Sequence, residues 1–345
     1  AATQQYQKNA DTARGRLQLE ESTRGSASDL LQRVRELAVQ ANNDVQTRET
    51  RGYLAIELRG IRQHLIGLAN QRDAGGDYLF AGFQGNVQPF QPTASGQVSY
   101  VGDQNSRYLQ IGPSQQVADG DPGSDVFAAI RNGNGTFTTL DNPANTGTGV
   151  IDPGTVLNPA LYVANNFRIQ FTSATTYDVI NDTTAVTVLA AQTYVEGAAI
   201  SFNGVQTSVS GQPASGDSFT VTPSANQDIF ASVQNLINAL EGPSTTTTEQ
   251  TRFHNAINRG IVDLDQGMQN ILEMRARAGA RLNTVDNQSD SNDNFVLQLQ
   301  QSLSETQDLD YAEAISRLNR QLLSLQASQQ SFVKVQGLSL FNLLP

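Results

Sequence analysis

"FRIQFTSATTYDVIND", residues 167–182, decides the fold. Phe167, Ile169 and Phe171 alternate with polar residues, and Tyr177 and Val179 resume the alternation after a short polar turn. A period of two with β-branched and aromatic residues fits half-buried strands. Downstream, "AVTVLAAQTYVEG" (185–197), "AAISFNG" (198–204) and "DSFTVTPS" (217–224) carry the same character, with turn residues between them. Upstream, "QVSYVGDQNSRYLQIG" (97–112) reads as a hairpin turning at "GDQN". The stretch between, "RNGNGTFTTLDNPANTGTGVIDPGTVLNP" (131–159), is rich in Gly, Asn and Pro and reads as loops. From Tyr108 to Thr251 the only basic residues are Arg131 and Arg168, so this β zone is expected to be an acidic, solvated knob.

On both sides of that zone the period lengthens. Leu30, Val34, Leu37 and Ala41 are spaced by four, three and four. After the polar break "NNDVQTRET" (42–50), Leu54, Leu58, Ile61, Leu65 and Leu68 form a cleaner seam, expected to stop at Gly75 and Gly76. Beyond the β zone, "SANQDIFASVQNLINALEGPS" (224–244) predicts a helix capped by Ser224 or Asn226, with Ile229, Val233, Leu236, Ile237 and Leu240 on one face and Gly242 and Pro243 ending it. The linker "STTTTEQT" (244–251) leads to a long helix with a seam at Ile257, Ile261, Leu264, Met268, Ile271, Ala278, Leu282 and Val285, interrupted by Arg275. "DNQSDSNDN" (286–294) predicts a loosening of the chain. A last helix places Tyr311, Leu318, Leu325 and Phe332 at steps of seven, with Ile315, Leu322 and Gln329 between them.

The fold class expected is α+β multidomain. An elongated helical rod or bundle with a β hairpin would be built discontinuously from 1–128 and 226–294. An all-β domain is inserted at 129–225, and 295–345 is an amphipathic C-terminal segment for coiled-coil packing.

Composition narrows the function. The 345 residues carry a formal net charge of -11, which opposes binding to phosphate backbones, so no nucleic-acid partner is expected. No run of 18 apolar residues predicts membrane insertion. The opening "AATQQYQKNADTARGRL" is polar rather than signal-like, and Ala1 in place of Met predicts a trimmed N-terminus. The absence of cysteine excludes disulfides and thiolate metal sites and suits a chain that matures outside the cell without redox help. His64 and His254 lack partners at metal-ligand spacing and are expected to be surface or packing residues. The cluster "DGDPGSD" (119–125) lacks the layout of a calcium loop and reads as a solvated turn. The serines of "GVQTSVSG" and "SFNG" have no base or elbow motif beside them. No cofactor, no metal and no enzymatic activity are therefore expected.

Heptad surface is abundant instead. The Leu54–Leu68 and Ile257–Val285 seams can bury each other, but no equally long helix remains to cover 311–344. Residues 1–20 offer only Tyr6, Ala10, Ala13 and Leu17. Leaving six or seven Leu and Phe side chains wet forfeits on the order of ten kcal/mol, so a partner is expected.

Six segments then carry a resemblance: "NADTARGRLQLEESTRGSASDLLQRVRELAVQANN" (9–43), "DYLFAGFQGNVQPF" (77–90), "GQPASGDSFTV" (211–221), "MRARAGARLNTVDNQ" (274–288), "SLSETQDLDYAEAISRL" (302–318) and "FVKVQGLSLFNLL" (332–344). Together they resemble the flagellin superfamily and, within it, the family of hook–filament junction proteins, the third hook-associated proteins (FlgL). The resemblance implies a structural protein of the bacterial flagellum, exported unfolded with a flagellar export chaperone through the type III channel. It further implies self-association in a ring or tube between hook-associated protein FlgK and flagellin. Leu318, Leu322, Leu325, Phe332, Leu338, Leu340 and Phe341 are the inner-packing residues so implied, with Tyr311 and Ile315 on the same seam. Asn9, Arg281 and Asn283 match motifs of the family's helical domain. The family begins with a further amphipathic segment, which this chain is expected to lack. Two alternatives stay open: filament flagellin itself, and a secreted protein whose β insertion binds glycans or catalyses through Asp178, Asp182 and Tyr194.

Overall fold

Helix α1 (Ala2–Ala41) buries Ala10, Ala13, Leu17, Glu20, Arg24, Ala27, Leu31, Val34, Ala38 and Ala41, a stripe whose steps alternate three and four. Leu30, placed on this seam by the sequence, is only partly buried, and the neighbouring Leu31 takes the core position. The computed structural model describes residues 2–43, 46–94, 96–307 and 311–337. The chain divides into two units, Ala1–Ser289 and Asp290–Pro345.

Helix α2 (Arg48–Ala69) starts where Thr47, in extended conformation, accepts a bond from the Thr50 amide. Its seam residues Leu54, Leu58, Ile61 and Leu65 are buried, and Leu68 partly so. The helix ends at Asn70, before the expected glycines. The Asn70 side chain donates to Phe90 O (2.8 Å) and accepts from Phe90 N (2.9 Å), pinning the chain to the hairpin beside it. Gly76 instead takes a positive φ of 89° in the turn that follows.

The expected hairpin across "GDQN" is corrected to two. β1 (Phe90–Pro92) pairs with β2 (Val98–Tyr100), and β3 (Tyr108–Gln110) pairs with β4 (Gln116–Ala118). The intervening turn is committed elsewhere. The Tyr100 hydroxyl donates to Phe80 O, and Asp103 accepts from the Phe83 amide.

The β zone follows, and part of it departs from expectation. β5 (Ile130–Arg131), β6 (Phe137–Asp141), β7 (Val150–Ile151) and β8 (Thr155–Val156) lie in the stretch read as loops. "FTTLD" is a strand because Phe137, Thr138 and Thr139 are buried and pair with β14, a tertiary gain that outweighs the flanking Gly and Asn. Next come β9 (Phe167–Ser173), β10 (Thr176–Asn181), β11 (Val186–Thr193), β12 (Ala199–Phe202), β13 (Val205–Ser210), β14 (Ser218–Pro223) and β15 (Asn226–Gln227). One antiparallel sheet runs β11-β10-β9-β14-β6; a second runs β12-β13-β7, with β8 also on β13. Phe137, Ile151, Phe167, Ile169, Phe171, Val179, Phe202 and Phe219 belong to one core shared by both sheets.

Helix α3 (Ile229–Glu241) is capped by Asp228, which accepts from the Ala231 amide at 2.7 Å, rather than by Ser224 or Asn226. The displaced candidates are used elsewhere: Ser224 donates to Asn132 O, and Asn226 pairs with Arg131 in the β15–β5 ribbon. The five expected face residues of α3 are buried, and Gly242 ends it. Helix α4 (Thr247–Gln307) is continuous, so "DNQSDSNDN" does not break it. Tertiary contact offsets its low helix propensity: Val285 and Ser289 are buried, and Gln7 Nε2 donates to Ser289 Oγ. The seams of α2 and α4 share the main core with α1, α3, Phe80, Phe90 and Phe127. A third core joins Ala10, Ala13 and Leu17 to Ile111, Val117 and Val285. Helix α5 (Tyr311–Gly337) closes the described chain.

Candidate assembly surface

Glu313 in the first turn of α5 and Lys334 in the last complement the helix dipole, and Glu313 pairs with Arg317 at 2.6 Å. The helix therefore has local reasons to form, but no residue of it is buried. Tyr311, Ile315, Leu318, Leu322, Leu325 and Phe332 fall on one stripe, and their exposures run from 48% at Leu322 to 78% at Tyr311. Leu338, Leu340 and Phe341 lie outside the described residues. Four further exposed apolar side chains, Phe295, Leu297, Leu299 and Leu303, sit in the last part of α4. The sequence reading missed them because it took the polar run before them for a break.

The three helical-domain residues fare differently. Asn9 donates to Gln110 O at 2.7 Å, tying α1 to β3. Arg281 donates to Asp121 Oδ1 at 2.7 Å. Asn283 is exposed on α4 and is not brought to either.

The Arg281 contact opens onto a cluster the sequence reading missed. Asp119 and Asp121, expected in a solvated turn, are buried. Asp121 Oδ2 accepts from Arg24 at 2.8 Å, and Arg24 also binds Glu20 Oε2 at 2.6 Å and Met274 O at 3.2 Å. Arg16 pairs with Asp73 and donates to Leu79 O at 3.1 Å. Arg107 reaches Asp119 at 3.3 Å. A buried carboxylate keeps its charge when cations and donors replace its water. Burial nevertheless pushes the Glu20 carboxyl up to about 8, with Arg24 the largest opposing influence. The visible signal was in α1: Glu20 and Arg24 occupy seam positions between Leu17 and Ala27.

The residues proposed for a catalytic β insertion are each occupied in the fold. Asp178 accepts from the Ala191 amide at 2.7 Å, Asp182 pairs with Arg168 at 3.1 Å, and the Tyr194 hydroxyl donates to Gly211 O at 2.7 Å. His64 is exposed, and His254 packs half-buried with Nδ1 2.8 Å from Asn42 Oδ1. Among the described residues no group of three His, Asp or Glu side chains is placed to hold a metal. No described helix is long and apolar enough to cross a membrane.

Comparison with known proteins gives the arrangement a context. Residues 1–85 match the model of the bacterial flagellin N-terminal helical region, and residues 140–223 match that of the flagellar hook-associated protein 1 D2-like domain. The chain is 24% identical to flagellar hook-associated protein 3 of Escherichia coli K12, over 99% of its own length and 82% of that protein's. Its fold is similar to the crystal structure of Xanthomonas campestris FlgL (33% identity, TM-score 0.84, covering 88% of this chain and 98% of that one). It is also similar to the flagellar junction protein FlgL from Legionella pneumophila (33% identity, TM-score 0.80, covering 85% and 93%).

Proposed function

The chain belongs to the FlgL family of flagellar hook-associated proteins, and on that premise we propose that its exposed C-terminal helix is the surface through which subunits assemble at the hook–filament junction. The protein is a structural component of the extracellular flagellum, and the reading as filament flagellin is not favoured. The proposed partners are further copies of the chain in a ring or tube, hook-associated protein FlgK on one side and flagellin on the other, with an export chaperone before assembly. No catalytic role is proposed for the β insertion.

One observation carries this reading: a regular heptad stripe on α5 with none of its residues buried. Each fully buried Leu or Phe is worth about 1.5–3 kcal/mol, so covering the six described stripe residues yields on the order of ten kcal/mol per subunit. That is enough to offset much of the cost of ordering a helix against neighbours.

Leu322→Asp tests it. Leu322 is solvated in the isolated chain, so the melting temperature should stay close to the parent's, within about 0.5 kcal/mol of stability. In an assembled seam the same carboxylate would be unpaired and dry, costing several kcal/mol in every subunit. Cells making the variant should secrete flagellin without holding a filament. A normal melt with normal swimming would exclude the seam as an assembly surface.

A further inference from the structure

The loop after β8 carries three large apolar side chains into solvent: Leu157, Leu161 and Val163 are 58%, 59% and 47% exposed. The same loop is firmly bonded. Leu157 N and Asn158 N both donate to Gly204 O, at 2.8 and 3.1 Å, and Leu161 N donates to Asn158 O at 3.1 Å. The Tyr162 hydroxyl donates to Thr136 O at 3.1 Å. The loop lies against the β12–β13 turn, where a Cβ on Gly204 would stand 2.4 Å from Asn158 O. Apolar side chains on a fixed loop lose little further freedom when they are covered, which suits a contact surface. Residues 153–167 contain no charged side chain.

A complementary feature lies on the same chain. Between β7, β13 and α4 runs a groove of about 520 Å³ whose apolar lining is Val150, Ile151, Pro153, Ile261 and Val262. Asp152 is the charged group in that described lining, and its Oδ1 accepts from Gly154 N at 2.8 Å. Ser208 and Ser210 of β13 line it too. A volume of this size admits a ligand of several side chains. The loop is bonded beside Val205 at one end of β13, and the groove reaches Ser210 at the other. Along a strand of that length the two are on the order of 15–20 Å apart. The three apolar side chains are exposed, so they do not fill the groove of their own chain.

We propose that the 157–163 loop of one copy of this chain docks into the groove between β7, β13 and α4 of a second copy. The charge distribution fits a second copy. At a net charge of -11 two copies repel over most of their surfaces, but this contact joins an uncharged loop to a groove whose charged group is already bonded. Loop and groove are different surfaces, so the contact is head-to-tail, and its repetition gives a ring where the rotation closes. The inference rests on the self-association proposed above but uses no residue of α5.

The chain has no cysteine, which makes a disulfide trap specific. Leu161→Cys and Ser210→Cys variants of the intact chain are mixed in equal amounts and oxidised with copper–phenanthroline. Leu161 and Ser210 are both exposed, so neither replacement disturbs a core. The control pairs Ser210→Cys with Val186→Cys, an exposed position on β11. A cross-linked pair is expected at about tenfold or more the control yield, and a chain carrying both replacements should give a ladder of oligomers. Leu157→Asp added to the Leu161→Cys chain should cut the yield about tenfold or more, because an unpaired carboxylate would enter the groove. Cross-linking at the control yield overturns the proposal, as does a Leu161→Cys chain that pairs mainly with itself. The two readings fail separately. If Leu322→Asp blocks assembly in cells while the mixture stays at the control yield, α5 stands and this contact falls. If the mixture cross-links specifically while Leu322→Asp cells swim normally, this contact stands and α5 falls.

Discussion

Glu20 and Arg24 are charged side chains where the spacing of α1 demands apolar ones, and both are fully buried. A buried ion pair contributes little net stability over apolar packing, but it fixes which surfaces meet, because removing one member strands the other. Arg24 is bonded to Glu20, Asp121 and Met274 O, so it holds α1, α4 and the loop after β4 in one register. We expect Arg24→Met to cost about 3–5 kcal/mol in denaturant unfolding, since the buried Asp121 carboxylate loses a cation and the buried Glu20 carboxyl loses its hydrogen-bond donor. Glu20 gives a pH dependence of defined sign. Its folded pKa of about 8 lies above the ordinary carboxyl value of 4.5, so between those values the native state holds a proton that the unfolded chain has released. Its contribution is complete below pH 4.5 and is lost as pH rises through 8. The melting temperature of the parent should therefore fall relative to that of Glu20→Gln across this window; a constant difference would show that Glu20 does not titrate there. The heptad spacing made these positions readable as core. Their partners on a loop about a hundred residues away carried no periodic signal, which is why "DGDPGSD" passed for a solvated turn.

At the scale of elements, the long helices and most of the strands of six to eight residues were legible, because each sums its periodicity over several repeats. The errors cluster where three or four residues decide. Asp228 rather than Ser224 caps α3, and "FTTLD" is a strand whose pattern its glycine-rich neighbours hid. The hairpin at "GDQN" failed because Tyr100 and Asp103 are bonded to residues 80–83, a contact no local pattern encodes. One helix crossing depends on a missing side chain. A Cβ on Gly260 of α4 would stand 2.4 Å from Leu236 Cδ2 of α3, and Leu236 is fully buried. Alanine there gains up to about 1 kcal/mol of helix propensity, but overpacking costs about 1–3 kcal/mol. We expect Gly260→Ala to lower stability in chemical denaturation, and Gly260→Ala with Leu236→Ala to recover part of the loss. A stabilised single variant would mean that the two helices can separate at this point freely.

Across the whole molecule, the distribution of apolar contact argues for the division proposed from period alone. The core of the β zone draws only on residues 137–221, with further partly buried members between Val156 and Tyr194. Beyond Ile130, which packs in the helical core, the zone meets the helices through polar contacts: Asn255 of α4 accepts from Ile151 N and donates to Gly149 O, Asp263 accepts from Gly133 N, and Arg252 donates to Asn145 O. Polar docking between separate apolar cores is how domains meet within a chain. The two connections are themselves paired, Ile130–Arg131 with Asn226–Gln227, so the zone leaves the helices through a two-stranded ribbon. Residues 129–225, which contain that whole apolar core, should therefore fold when produced alone. The fragment should show strand-type circular dichroism and one cooperative melt, at a lower temperature than the intact chain because Asn255 and Asp263 no longer satisfy its buried amides. Asn255→Ala in the intact chain should lose about 1–3 kcal/mol by leaving the Ile151 amide unbonded, and should leave the fragment's own melt as the reference for the undocked zone. If the fragment is disordered in solution, the β zone is not an independent domain, and the polar contacts to α4 are part of its folding core rather than a docking surface.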